Sequence, residues 1–145
     1  MHAILRQSTT VTVKIGPFLD SSDGITPETA LVIQKADVRL SKNGGNYVTA
    51  NANQGAADVG APHDESGEYD ITLNTTDTNT VGVLKLLVME TGALAVWDTF
   101  QILEEVAYDA IFAAGTLGNL GANVKQVNSV TIDGIGTTGD PWGPV

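Results

Sequence analysis

The feature that most constrains this chain is its alternation of apolar and polar residues, broken by turn-forming clusters about every 8–15 residues. Val11, Val13 and Ile15 alternate with Thr10, Thr12 and Lys14 before Gly16-Pro17 ends the run. A second apolar run covers Ala30 to Ile33, and Val38 and Leu40 alternate with Asp37, Arg39 and Ser41. The pattern resumes at Tyr69, Ile71 and Leu73, then at Val83 to Val88, and again at Val96, Phe100 and Ile102. A period of two puts successive side chains on opposite faces of a strand, so each segment has one face to bury. The expectation is an all-β fold of about seven short strands within Thr10–Leu103, arranged as an immunoglobulin-like β-sandwich. Its expected core holds Val13, Val38, Leu40, Tyr69, Ile71, Leu86 and Phe100. Thr49 to His63 carries no usable period and reads as a long loop.

Two local signals refine this picture. Asn43-Gly44 stands between alternating segments, and a type I′ hairpin turn needs positive φ at both central residues, which Asn and Gly tolerate best. Glu65-Ser66-Gly67-Glu68-Tyr69-Asp70-Ile71 has the spacing of a tyrosine corner, in which the Tyr hydroxyl caps backbone groups at the corner itself. Tyr69 takes the place of that Tyr, Gly67 that of the small residue, and Ile71 that of the core position.

The texture changes at Glu104. Glu104–Ala114 has the makings of a short helix with acidic residues at its N-terminus, where the helix dipole favours them. Gly115 to Asn123 reads as a connector, and Val124 to Val145 holds one alternating segment before Asp140-Pro141-Trp142-Gly143-Pro144-Val145. The chain thus divides into a sandwich at 1–103 and a helix, Gly-rich connector and extended C-terminal arm at 104–145. Ordering so many glycines is costly, and the arm has few large apolar residues of its own. Val127, Val130, Ile132 and Trp142 are therefore expected to dock on another subunit, with Thr131 to Ile135 adding a strand to a neighbouring sheet edge.

Composition excludes several roles. The 145 residues carry 17 Asp and Glu against 7 Lys and Arg, a net charge of −10, and no cysteine. Nucleic-acid binding requires clustered basic residues, and anionic membranes are disfavoured for the same reason. No signal peptide is expected from Met1–Arg6, and the apolar stretch Val81–Met89 contains Lys85 and is too short to span a bilayer. Neither His2 nor His63 stands in a catalytic pattern, and nothing matches a nucleophile elbow, a zinc-protease helix or a phosphate loop. With 17 acidic residues, a close carboxylate pair says nothing about glycoside chemistry. The expectation is a non-enzyme without cofactor.

Three further features have competing readings. Asp20-Ser21-Ser22-Asp23-Gly24 could open a calcium loop, but Asp and Ser form such turns by bonding their own backbone, and no metal is expected there. The acidic cluster Asp64, Glu65, Glu68 and Asp70 reads as a solvated face. Trp97 lies opposite Phe100 if its strand is regular. Either a bulge turns it into the core, the expected placement, or it is exposed and suited to a carbohydrate or protein contact.

Several segments together resemble small structural proteins of tailed bacteriophages and prophages. They are Pro17–Thr29, Asp37–Gly45, Gly67–Ile71, Thr76–Gly82, Val106–Ala110 and Asp140–Pro144, in that order. The resemblance implies a virion component, made in the bacterial host cytoplasm and assembled with other virion proteins, with homo-oligomers expected in the particle. A tail, baseplate or fibre-attachment position is preferred, with capsid decoration on the head as the alternative. A carbohydrate-binding module using Trp97 or Tyr47 as a platform is the competing class.

Overall fold

A computed structural model describes residues 3–112 and, beyond them, the backbone of three short strands at 126–127, 130–133 and 143–144. The elements run β1 (Ile4–Arg6), β2 (Val11–Ile15), β3 (Val38–Lys42), β4 (Val48–Thr49), β5 (Tyr69–Leu73), β6 (Gly82–Val88) and β7 (Val96–Leu103). Helix α1 (Glu105–Phe112) and strands β8 (Gln126–Val127), β9 (Val130–Asp133) and β10 (Gly143–Pro144) follow. The fold is all-β with one short helix.

One sheet has five strands in the order β1-β7-β6-β3-β4, and a second consists of β2 and β5. β1 runs parallel to β7, pairing Ile4 with Gln101 and Arg6 with Leu103. The other pairings in both sheets are antiparallel, with Leu40 opposite Leu86 and Leu84 opposite Phe100. In the small sheet, Val13 pairs with Ile71 and Ile15 with Tyr69.

The apolar positions from both sheets form one hydrophobic cluster. Val13, Ile15, Tyr69, Ile71 and Leu73 come from the small sheet, and Val38, Leu40, Leu84, Leu86, Phe100 and Ile102 from the large one. Every residue expected in the core from its alternation is buried. Fully burying a side chain of this size contributes roughly 1.5–3 kcal/mol, so this cluster dominates the stability.

The alternation located the strands but missed two features. β1 lies ahead of the expected sandwich, where its three residues are too few to show a period. The apolar run Ala30–Ile33 forms no strand. Ile33 is buried in the core while Val32 is exposed, and the Ile33 carbonyl accepts a bond from the Ala61 N–H at 2.8 Å. This segment is a packed loop, because side-chain burial alone does not supply a pairing edge.

Trp97 is corrected from the expected placement: it is 63% exposed. The β6–β7 register runs unbroken from Gly82–Ile102 to Val88–Val96. Without a bulge, Phe100 and Ile102 face the core, and Trp97 falls on the outer face.

Helix α1 follows β7 directly and contains no buried residue. It is held to β1 by a charged clamp. The Arg6 guanidinium donates from Nε to Asp109 at 2.8 Å and from Nη2 to Asp109 at 2.9 Å, and it reaches Glu105 at 3.3 Å. The Asp109 carboxyl is consequently held below its ordinary range, first by the Arg6 hydrogen bonds and then by its charge. In the arm, Val127 pairs with Val130 and Ile132 with Pro144, so β9 runs antiparallel between β8 and β10. Trp142 lies outside the described residues.

Candidate functional site

Tyr69 sits fully buried at the start of β5. Its hydroxyl accepts from the Leu31 N–H at 3.0 Å and donates to the Glu28 carbonyl at 3.2 Å. Those partners lie 38 and 41 residues earlier in the chain, so the hydroxyl does not cap its own corner as expected. The corner is closed instead by Asp64, whose Oδ1 accepts from Ser66 N–H at 2.9 Å and from Glu68 N–H at 3.3 Å. Burial raises the phenol pKa of Tyr69, opposed by the Leu31 hydrogen bond.

Gly67 joins the same unit. Its φ is 76°, and its carbonyl accepts from the Phe18 N–H at 2.8 Å. A Cβ at Gly67 would stand 2.9 Å from the Phe18 carbonyl oxygen and 3.1 Å from Pro27 Cβ. The Phe18 ring meets Tyr69 edge-on at 5.2 Å, and the Phe18 carbonyl accepts from the Glu28 N–H at 2.8 Å. Two segments far apart in sequence, 17–29 and 67–71, are therefore one hydrogen-bonded structure.

Asn43 and Gly44 form the expected turn, with φ of 51° and 77° and a closing bond from Gly45 N–H to the Lys42 carbonyl at 3.0 Å. Asn43 also has a role that the turn pattern does not reveal. Its side chain accepts from Val83 N–H at 2.8 Å and donates to the Val81 carbonyl at 3.0 Å, fastening the turn to the start of β6.

The candidate calcium loop uses its carboxylates on its own backbone. Asp20 accepts from Ser22 N–H at 2.6 Å, and Asp23 accepts from Ile25 N–H, Thr26 N–H and the Thr26 hydroxyl at 2.6–2.9 Å. The Asp23 pKa falls below its ordinary value, chiefly through the Thr26 hydroxyl and then the two N–H groups. Among the described residues, no three His, Asp or Glu side chains gather as a metal site.

The acidic cluster is also more structured than a solvated face. Lys14, opposite Asp70 in the β2–β5 register, reaches Asp70 at 3.0 Å and Asp64 at 3.3 Å. Asp70 is thus a cross-strand ion partner, and the Lys14 pKa is raised, chiefly by its hydrogen bond to Asp70. His63 lies over the Tyr69 ring at 5.1 Å and is exposed.

A surface groove adjoins this cluster. It has a volume of about 350 Å³ and lies between the end of β2, at Lys14, Ile15 and Gly16, and the start of β7, at Val96, Trp97 and Asp98. Glu68 completes its lining. The groove brings the start of β7 together with Glu68 of the Tyr69 corner, a juxtaposition across some 30 residues of sequence that no spacing rule reveals.

Sequence reasoning also missed two buried polar side chains, Gln54 and Asp77. Asp77 accepts from the N–H groups of Asn51, Ala52 and Asn74 at 2.7–3.0 Å. The one available signal was the Asn74-x-x-Asp77 spacing, since Asn and Asp at such intervals organise turns through their own backbone. No described helix is long and apolar enough to cross a membrane. Compared with known protein families, with curated proteins and with solved structures, the chain shows no match.

Proposed function

We propose that the protein is a non-enzymatic structural component of a tailed-phage virion, with an immunoglobulin-like sandwich as its body and the C-terminal arm as its docking element. The sandwich reading is supported by the shared core of the two sheets and by the parallel β1–β7 pair at the side of the five-stranded sheet. The observation that carries the functional reading is the union of 17–29 with 67–71 around Tyr69 and Gly67. These are two of the segments on which the resemblance to phage structural proteins rests, and a mutually dependent pair is harder to match by chance than two separate strings.

In this reading the protein assembles with other virion proteins and with copies of itself, and its localisation is the virion. A tail or fibre-attachment position is preferred, with head decoration as the second reading. The strongly acidic surface suits contacts among proteins rather than with packaged nucleic acid. The exposed apolar residues of α1, Val106, Ile111 and Phe112, lie just ahead of the arm and extend the surface it offers to a neighbour.

The test is mass spectrometry of purified particles, together with a chain truncated after Ala114. The full chain is expected in intact particles, and the truncated chain is expected to fold but not to assemble. Absence of the full chain from particles overturns the virion reading. Normal incorporation of the truncated chain, or its failure to fold, overturns the docking role of the arm. Immunogold labelling then separates tail from head.

A further inference from the structure

We infer that the outer face of the five-stranded sheet, centred on Trp97 and Leu87 and flanked by Arg39 and Lys85, docks on the acidic outer face of the β2–β5 sheet in a second copy of the chain. The inference rests on the reading that copies of the protein assemble with one another, and it names the two surfaces they use.

The register defines the first surface. Arg39 pairs with Leu87, and Leu87 with Trp97, so the three form one row across β3, β6 and β7. Residues directly opposite each other in an antiparallel ladder share a face. In the next row Leu40 and Leu86 are buried, so the Arg39 row faces outward. Lys85 stands two residues from Leu87 on the same face, and Val83 two further on. Trp97 is 63% exposed and Val83 47% exposed. Alternation asks only for polar residues at such outward positions, as at Thr99 and Gln101. An indole, two aliphatic side chains and an arginine in one patch have the make-up of a protein contact, where Trp and Arg carry much of the binding energy.

Charge selects the occupant. The chain has 17 acidic residues, yet none stands at an outward position of β3, β6 or β7. Arg6 and Lys14 are held by carboxylates, and Lys42 by oxygen atoms of Thr76 and Asn79. Among the described residues, Arg39 and Lys85 have no such partner. The complementary surface is on the small sheet, where Glu68, Asp70 and Thr72 alternate with the buried Tyr69, Ile71 and Leu73. Asp64 and Glu65 adjoin them at the corner. Asp64 and Asp70 spend their charge on Lys14, whereas Glu65 and Glu68 have no cation partner among the described residues. Thr12 and Thr72, paired across the same sheet, give the indole small side chains to rest on.

The same charges fix the symmetry of the contact. Two Trp97 faces brought together would set Arg39 and Lys85 against their own copies, and like charges in contact are costly. The contact is therefore head-to-tail, and it repeats into a ring or a filament. Each copy carries a net charge of −10, but at physiological salt the Debye length is about 8 Å. Repulsion between whole copies is screened at that range, whereas charges within the contact lie well inside it.

The experiment is sedimentation velocity of the full-length protein over a range of concentrations at about 0.15 M salt. The sedimentation coefficient should rise with concentration, with a Kd of roughly 10–200 μM. Trp97→Ala with Lys85→Ala removes one surface, and Glu65→Lys with Glu68→Lys removes the other. Each double variant should weaken association at least about tenfold. Mixed together they should form a one-to-one dimer, because each retains the surface that the other lacks. All four positions lie outside the core, and an unchanged melting temperature checks the fold. Arg39→Ala repeats the test of the first surface should its double variant unfold. A wild type that stays monomeric overturns the inference, as does a mixture of the variants that fails to dimerise. If the wild type is monomeric and the Trp97 variant fails to enter particles, another virion protein covers this face, so the inference fails while the virion reading survives. Head-to-tail assembly of a chain absent from particles gives the reverse. A monomeric wild type that binds a polyuronate assigns the face to an acidic polysaccharide and likewise overturns the inference.

Discussion

The side-chain amide of Gln54 completes the backbone hydrogen bonding of Thr72. Its Nε2 donates to the Thr72 carbonyl at 3.0 Å, and its Oε1 accepts from the Thr72 N–H at 2.9 Å. The neighbouring Asp70 N–H donates to the Pro62 carbonyl at 2.8 Å. Together these bonds cover the side of β5 away from β2, where an open strand edge would invite pairing with another chain. Gln54→Ala is expected to cost about 2 kcal/mol by leaving both Thr72 groups unpaired, measured by urea unfolding, and to increase aggregation. Gln54→Glu should be worse, because it sets a carboxylate against the Thr72 and Ala52 carbonyls in a fully buried place. A neutral result for both would show that water replaces the amide.

Tyr69→Phe should keep the fold and cost about 1 kcal/mol or somewhat more, since the Leu31 N–H and Glu28 carbonyl lose their partner. Tyr69→Ala should cost about 3–5 kcal/mol through the cavity it leaves. Equal losses for the two variants would mean that the hydroxyl, rather than the ring, anchors the 28–31 loop.

Gly67→Ala should cost about 2–3 kcal/mol, from a strained positive φ and the crowding of the Phe18 carbonyl. Gly44→Ala is the comparison, since it shares the positive φ but no atom crowds its Cβ. Its loss, read from thermal unfolding, should be the smaller. A reversed order would refute the close packing of 17–29 on 67–71.

Acid should destabilise the protein through a defined set of carboxylates. Asp23, Asp58, Asp64 and Asp109 all have lowered folded-state pKa values. A lowered carboxylate pKa contributes stability that is fully present above the unfolded value of about 3.9 and is lost as pH falls through the folded value. Stability in urea should therefore be flat from about pH 5 to pH 8 and fall steeply below about pH 4. The raised values of Arg6 and Lys14 act at the alkaline end and leave this window unchanged. A variant combining Asp23→Asn, Asp58→Asn and Asp64→Asn should show a shallower acid slope, and an unchanged slope would contradict the assignment.

Millimolar calcium should leave the melting temperature within about 1 °C, because Asp20 and Asp23 already serve the N–H groups of their own loop. A rise of several degrees, reversed by a chelator, would reveal a metal site there.

Residue patterning located most of the strands, though not β1, and much of the core. Alternation at Val11–Ile15, Val38–Leu40 and Tyr69–Leu73 is a local property of a pleated chain with one buried face, so it can be read without knowing what packs on that face. The Asn43-Gly44 turn is local in the same way, because φ is a property of single residues. The tertiary structure alone decided which segments meet. The hydroxyl of Tyr69 reaches Glu28 and Leu31, the amide of Gln54 reaches Thr72, and Arg6 reaches Asp109. The face on which Trp97 falls depended on whether β7 keeps register with β6, which is set by pairing and not by β7 itself. The groove beside Trp97 has the same origin, since it lies between strands of two different sheets and no single segment carries its pattern. Local rules fix dihedrals and periodicity, whereas partners distant in sequence are chosen by the free energy of the whole packed chain.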